Sequence, residues 1–318
     1  MSEDIILVIG AKGQLGSVLI KELQKIYGIT NVIASDVYLD PNFEGVFELL
    51  DATDMTSIRT IIKKYSVTQI YQLAAILSAK GEQHPLETWE LNIKMMLNVF
   101  EVSINSTVNK VFFPSSIAVY GTKAPLQNSP QSAFLNPATV YGISKAAGEN
   151  WAQYYFNKYD LDIRSIRYPG VIGYQSMPGG GTTDYAVDIY HSAVKRENYK
   201  CFLKADTKLP MVFMEDAIRA TIELMQTPKE NIKTRTSYNL GSMSLNPSEI
   251  YEAIKKQYPS FEIEYKPDFR QVIADNWPKS IDDKEARNDW GWEPKFNLKS
   301  MTNVMLEKLE EKYNKINQ

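Results

Sequence analysis

Cysteine and histidine are nearly missing from this chain of 318 residues, which has one Cys and two His. The lone Cys201 excludes an intramolecular disulfide and fits a reducing cytoplasm. With only His84 and His191 to join it, a Cys/His zinc site lacks ligands, so the chemistry is expected to need no metal. No stretch approaches the roughly 18 apolar residues of a membrane span, and the N-terminus lacks a signal-peptide layout. Charge of one sign is also missing. Lys plus Arg total 35 against 38 Asp plus Glu, a net charge of -3 with no basic footprint for nucleic acid or anionic membrane. Repeats, low-complexity stretches and obvious linkers are absent too. What is present is the composition of a globular protein, 44% hydrophobic and 23% charged, long enough for one large α/β domain with an appended lobe.

Residues 5–9 form a continuous apolar run, the mark of a buried parallel strand. A helix is expected over 14–27, with Leu15, Val18, Leu19, Leu23 and Ile26 on its inner face. Further strands are expected at 31–35, 46–50, 69–73, 110–113 and 162–167, alternating with helices at 55–65, 85–106 and 140–159. That alternation predicts an α/β fold, a doubly wound parallel Rossmann sheet. From Pro169 the pattern loosens, with helices expected at 184–196, 215–226, 247–258 and 298–313 and strands at 236–240 and 261–265. The expected division is a first domain over 1–168 and a smaller C-terminal α/β lobe over 169–318, with about 209–240 rejoining the first.

The first strand runs into Gly10-Ala11-Lys12-Gly13-Gln14-Leu15-Gly16. Glycines here allow a tight turn, close approach of backbone to phosphate, and close helix-to-strand packing, with the pyrophosphate at the helix start. Gly10, Gly13, Gln14, Leu15 and Gly16 are therefore candidate cofactor contacts. Asp36 closes the second strand about 20 residues past Gly16, where a carboxylate accepts the ribose hydroxyls and repels a 2′-phosphate. Val37 and Tyr38 follow, with no Arg to welcome that phosphate, so NAD is favoured over NADP. Asp51, with Ala52 beside it, either contacts adenine or forms a turn that caps the next helix. On this reading residues 1–168 bind NAD and the later lobe mainly binds substrate.

Tyr141 and Lys145 stand one helical turn apart, on one face. Such a pair is common on surface helices, and its significance comes from Ser115 and Ser116 at the end of the 110–113 strand. Their hydroxyls should sit at the carboxyl edge of the sheet, where open α/β folds bind ligands. A free phenol has a pKa near 10, too high for a base at neutral pH, and an adjacent ammonium favours the phenolate. Ser116 would hold a substrate oxygen while Tyr141 takes its proton. The set describes a metal-free hydride-transfer enzyme.

The same residues resemble the extended short-chain dehydrogenase/reductases. The glycine turn, Asp36, Leu73-Ala74-Ala75, Asn92, Ser115-Ser116-Ile117-Ala118-Val119-Tyr120-Gly121, Tyr141/Lys145 and Arg167-Tyr168-Pro169-Gly170 follow that family's order over nearly the whole chain. The resemblance implies that Ser116 orients the substrate hydroxyl, Tyr141 is the base and Lys145 also binds the nicotinamide ribose. It implies that Leu73, Ala74 and Ala75 line the cofactor channel, with Asn92, Tyr168 and Pro169 beside it. Against UDP-galactose 4-epimerases, Gly170 stands where they carry Asn and Leu209 where an Arg binds the UDP pyrophosphate. Instead 75–79, 178–186 and 274–278 resemble the short-chain-type L-threonine 3-dehydrogenases. The implied reaction is L-threonine plus NAD giving 2-amino-3-oxobutyrate plus NADH. Ser78, Thr182 and Thr183 are the candidates for holding the amino acid, after a Gly-rich loop whose helix is capped by Thr182, Thr183 or Asp184. Trp277 would close the pocket as a lid or pack in the core. A nucleotide-sugar epimerase/dehydratase and a non-catalytic NAD-binding regulator are the alternatives. A homodimer is expected through the 85–106 and 140–159 helices, where Trp89, Met96, Trp151, Tyr154 and Tyr155 supply surplus apolar surface.

Overall fold

Strands apolar on both faces need cover on both sides, and the chain supplies it by alternating strand and helix. The computed structural model describes residues 4–316. In chain order its first half is β1 (Ile6–Ile9), α1 (Gly16–Tyr27), β2 (Val32–Asp36), β3 (Val46–Leu49), α2 (Met55–Tyr65), β4 (Gln69–Gln72), α3 (Ser78–Gly81), α4 (Pro85–Ile104), β5 (Lys110–Ser116), α5 (Val140–Tyr159) and β6 (Asp162–Tyr168). Then come β7 (Gly170–Ile172), α6 (Tyr185–Val194), β8 (Tyr199–Cys201), β9 (Leu209–Phe213), α7 (Met214–Gln226), β10 (Tyr238–Asn239), β11 (Met243–Leu245), α8 (Pro247–Lys255), β12 (Ile263–Tyr265), α9 (Phe269–Asp275), α10 (Lys284–Trp290) and α11 (Leu298–Ile316).

Seven strands form one parallel sheet in the order β10-β6-β5-β4-β1-β2-β3, the doubly wound Rossmann arrangement. The order reverses beside β1, so a crevice opens beyond the carboxyl ends of β1 and β4. One apolar cluster lies on each face of this sheet. A third, built on α6, α8, α11 and the Ile117–Val119 turn, supports the later segments. Those segments hold a three-stranded sheet β11-β9-β7 and a β12-β8 pair. Tyr238–Asn239 returns to the central sheet beside β6.

Three local differences have simple causes. β5 runs on to Ser116 because it pairs residue for residue with the equally long β6, from Lys110–Asp162 to Ser116–Tyr168. On α1, Ile20 faces the core and Ile26 points outward at 48% exposure, because the sheet meets the helix along Gly16, Leu19, Ile20 and Leu23. The expected strand at 236–240 keeps only two paired residues, and β7, β8, β9 and β11 form from short segments without a clear alternation signal.

Candidate functional site

The glycine turn is built by exclusion. Gly10 has φ +89, and a Cβ on it would lie 2.8 Å from the Ala74 nitrogen, because Leu73 and Ala74 N–H both donate to the Ile9 carbonyl. A Cβ on Gly16 would run into the Gly10 carbonyl oxygen, whereas one on Gly13 would be merely tight at 3.3 Å. α1 starts with no side-chain cap and no acidic residue in its first turn, so no carboxylate of its own opposes an anion at the positive end of the helix. Gln14 ties this start to β7 through a 3.4 Å bond to the Val171 carbonyl. Asp36 accepts N–H bonds from Lys12 at 3.0 Å and Tyr38 at 3.4 Å, which fixes its carboxylate at the mouth of the turn. A crowded glycine cradle, an uncapped helix start and a fixed carboxylate together fit a dinucleotide.

The residues around this turn divide by role. Asp51 accepts the Thr53 N–H at 2.8 Å and forms a turn, while the helix cap is Asp54, bonded to the Thr56 and Ser57 amides. Ala52 is buried, its carbonyl held by Asn98. Asn92 commits both ends of its amide to Ile76, accepting from its N–H at 2.8 Å and donating to its carbonyl at 3.1 Å, so it supports the loop after β4.

Beyond the carboxyl ends of β5 and β6 lies a cavity of about 150 Å³. Ser116, Tyr141 and Lys145 meet there with Ser78, Thr182, Thr183 and Trp277. Gln14, Leu15, Leu73, Ala75, Tyr168 and Pro169 join its cofactor side. Gly10, Gly13, Gly16, Asp36, Asp51, Ala52 and Ala74 are outside this cavity, around the ends of β1, β2, β3 and β4, and so is Asn92 on α4.

The electrostatics differ from the standing ammonium–phenolate pair expected from the sequence. Lys145 is buried without a carboxylate partner among the described residues, and burial pushes its ammonium down to about 7. Its Nζ lies 4.6 Å over the Phe113 ring and 5.5 Å from the Tyr141 ring. Burial pushes the Tyr141 phenol up to about 12, against the lowering influence of a hydrogen bond with Ser116. Ser115 donates to Glu149 Oε1 at 2.6 Å, which leaves Ser116 as the hydroxyl free to meet a ligand. Ser116 Oγ also accepts the Ala118 N–H at 3.1 Å and caps the turn after β5.

Glu149 is the residue that reading the sequence missed. It is wholly buried and grips Arg167 with two bonds of 2.9 and 2.7 Å. Arg167 in turn donates to the Tyr120 hydroxyl, the Gln131 carbonyl and Asn239. A saturated charged network of this kind locks the ends of β5, β6 and β10 beneath the cavity. The available signal was position, since Glu149 continues the Tyr141–Lys145 stripe at the next helical turn.

The loop over the cavity is organised by Asp184, whose Oδ2 accepts the Gly180 and Gly181 amides at 2.8 and 2.7 Å. Asp184 is also the N-cap position of α6. Thr182 is 1% exposed and its hydroxyl has no partner among the described residues. Thr183 packs against β7, because a Cβ on Gly170 would lie 2.8 Å from its side chain and would run into Met211. Trp277 is 5% exposed within the third apolar cluster, which makes it a wall of the cavity and not a lid. Leu209 is fully buried in that cluster and does not reach the cavity. Among the described residues no group of three or more His, Cys, Asp or Glu could hold a metal, and no helix is long and apolar enough to cross a membrane.

Residues 6–241 match the NAD dependent epimerase/dehydratase family. An uncharacterized epimerase/dehydratase of Staphylococcus aureus is 42% identical over 313 residues, 96% of this chain and 97% of that protein. A GalE-like L-threonine dehydrogenase from Cupriavidus necator, solved in its holo form, is 50% identical with a TM-score of 0.94, covering 96% of this chain and 99% of that one. A monomeric L-threonine 3-dehydrogenase from a metagenome, in its apo form, is 45% identical with a TM-score of 0.94 and the same coverage of 96% and 99%. An NAD cradle, a Ser-Tyr-Lys cavity at the switch point of a doubly wound sheet and these similarities lead to one conclusion: the chain belongs to the NAD-dependent epimerase/dehydratase family of extended short-chain dehydrogenases.

Proposed function

We propose that this enzyme oxidises L-threonine at its β-hydroxyl to 2-amino-3-oxobutyrate, with Tyr141 as general base. The observation that carries the reading is a small cavity with the Ser116–Tyr141–Lys145 set on one side and the buried, unpartnered Thr182 hydroxyl on another. A buried hydroxyl without a partner is costly unless a ligand supplies one. The volume of about 150 Å³ suits a free amino acid and is small for a nucleotide sugar. Thr183, seated on Gly170, keeps the loop close over β7 and favours the smaller substrate.

NAD supplies the hydride acceptor when bound. Ser116 and Tyr141 hold the β-hydroxyl oxygen, and Tyr141 receives its proton. Above pH 7 the Tyr141–Lys145 pair carries one proton fewer, so the buried amine can take the phenol's proton as the phenol takes the substrate's. Ser78 and Thr182 offer hydroxyls to the charged end of the amino acid, and Asp184 keeps the loop that carries Thr182 in shape.

Purified enzyme should release NADH with L-threonine and react poorly with L-serine, whose primary carbinol lacks the methyl that a small pocket grips. D-Threonine and L-allo-threonine should be poorer still, because each misdirects the hydroxyl or the hydrogen to be removed. Thr182→Ala should raise KM for threonine by about fivefold to fiftyfold, the loss of one or two ordinary hydrogen bonds, with a smaller change in KM for NAD. Turnover of UDP-galactose without threonine oxidation would make the enzyme a nucleotide-sugar epimerase. Failure with every hydroxy-amino acid and sugar nucleotide, with NAD still bound, would leave a regulator on the same fold.

We also propose a homodimer through α4 and α5. Met96 and Tyr155 face the protomer core at 1% and 3% exposure, because α4 and α5 turn them onto Phe100 and Phe113; they do not supply the outer surface expected of them. Trp89, Trp151 and Tyr154 remain at least a third exposed, with Leu86 nearby at 79%. Light scattering at micromolar concentration should give twice the chain mass. A single chain mass, as for the monomeric metagenomic relative, would remove this proposal and leave the catalytic one untouched.

A further inference from the structure

One carboxylate on α5 stands where it would silence the lysine beside it. Tyr141, Lys145 and Glu149 follow at intervals of four on one face of the helix. Lys145 and Glu149 are both buried, and opposite charges so placed on a helix attract one another. Among the described residues Lys145 nevertheless makes no ion pair, because Glu149 is taken by Arg167. Glu149 Oε1 accepts from Arg167 Nε at 2.9 Å and from the Ser115 hydroxyl at 2.6 Å, and Oε2 accepts from Arg167 Nη2 at 2.7 Å. The Tyr120 hydroxyl, the Gln131 carbonyl and Asn239 fix the guanidinium from its other side. The other groups around Lys145 do not compensate it. β5 contributes Phe113, Ser115 and Ser116, none of them charged, and β6 contributes Tyr168. Asp184 lines the same cavity, but its Oδ2 is held by the Gly180 and Gly181 amides. α4 brings the neutral Asn92 and Met96 against α5, and Glu82 accepts the Val140 N–H at 2.8 Å, at the start of the helix.

We propose that Arg167 is a positioning residue for proton transfer: by holding both oxygens of Glu149 it keeps that carboxylate off Lys145 and leaves the amine able to accept the phenol's proton. The proposal rests on the reading of Tyr141 and Lys145 as the base. Burial is the influence that lowers the Lys145 ammonium to about 7. An anion within about 4–6 Å favours the charged amine and would move its titration up by about one pH unit or more. Without Arg167, Glu149 is buried and unpaired, and Lys145 is the cation on its own helix stripe that can answer it. Without Glu149 the imbalance is opposite, a buried guanidinium that disfavours a second positive charge nearby.

The test is the pH profile of kcat/KM for L-threonine in Arg167→Met, Glu149→Gln and the double variant. Arg167→Met should move the midpoint up by about one pH unit or more, and Glu149→Gln should move it down. The double variant should return it to within about 0.3 of the unaltered value, because both charges are gone. A purely structural role would lower the rate without moving the midpoint. Calorimetry on the cofactor-free protein gives a second readout. Lys145→Met should raise Tm at pH 7 by a few degrees in the unaltered protein and in the double variant, and should lower it in Arg167→Met, where the amine has gained an anion. If Arg167→Met keeps the unaltered midpoint and Lys145→Met still raises its Tm, Arg167 only supports the fold; the proposal falls and the reading of the base stands. Should Arg167→Met not fold, the near-isosteric Glu149→Gln decides, and an unmoved or raised midpoint there overturns the proposal. If the unaltered enzyme turns over with no rise near pH 7, the reading of the base falls and takes the proposal with it.

Discussion

Tyr141→Phe is expected to lower kcat by about 10²–10⁴, the usual size of a lost general base, with NAD affinity changed by no more than a few-fold. The ring keeps its packing and its place over the cavity; only the proton acceptor and the bond with Ser116 disappear. The pH profile of the unaltered enzyme is a companion result. Burial holds Lys145 at about 7, so below that pH the ammonium and the phenol both keep their protons and no base is available. The kcat/KM of the free enzyme should therefore rise as pH passes through about 7. Stopped-flow measurement of NADH formation with L-threonine gives both numbers. Wild-type turnover by the Phe variant would move the base to another residue.

The second large effect concerns stability. Lys145→Met should abolish turnover and make the cofactor-free protein more stable. The unfolded side chain titrates near 10.5 and the folded one at about 7, lowered by burial. The penalty for burying this amine is thus absent above about pH 10.5, grows as pH falls, and reaches its full size below about 7. The difference in pKa sets an upper bound of about 5 kcal/mol. The Phe113 ring under the ammonium offsets part of it, so a gain of about 2–4 kcal/mol is expected. Differential scanning calorimetry should show a Tm higher by a few degrees at pH 7, with the gain vanishing near pH 10. A variant less stable than the parent at pH 7 would mean that Lys145 has an anionic partner in the folded state.

Cofactor class, sheet type and the meeting of Ser116, Tyr141 and Lys145 at one cavity were legible in the chain because each depends on local pattern. An apolar run needs burial wherever it lies, glycines ten to sixteen form a turn under any topology, and a Tyr and a Lys four apart share a helix face. The third member, Ser116, could be located because an apolar strand places its last residue at the sheet edge. Long-range contacts decided the rest. The bonds from the Gly180 and Gly181 amides to Asp184 are local, but the burial that leaves the Thr182 hydroxyl without a partner among the described residues is set by the elements packed around it. Trp277 became a wall and Leu209 a core residue because the third cluster needed volume there, a demand set by α6, α8 and α11 together. The same holds for the charge state of the Tyr141–Lys145 pair. Residue types suggested an ammonium favouring a phenolate, but the tertiary fold removes water and brings no carboxylate, and desolvation opposes both charged forms.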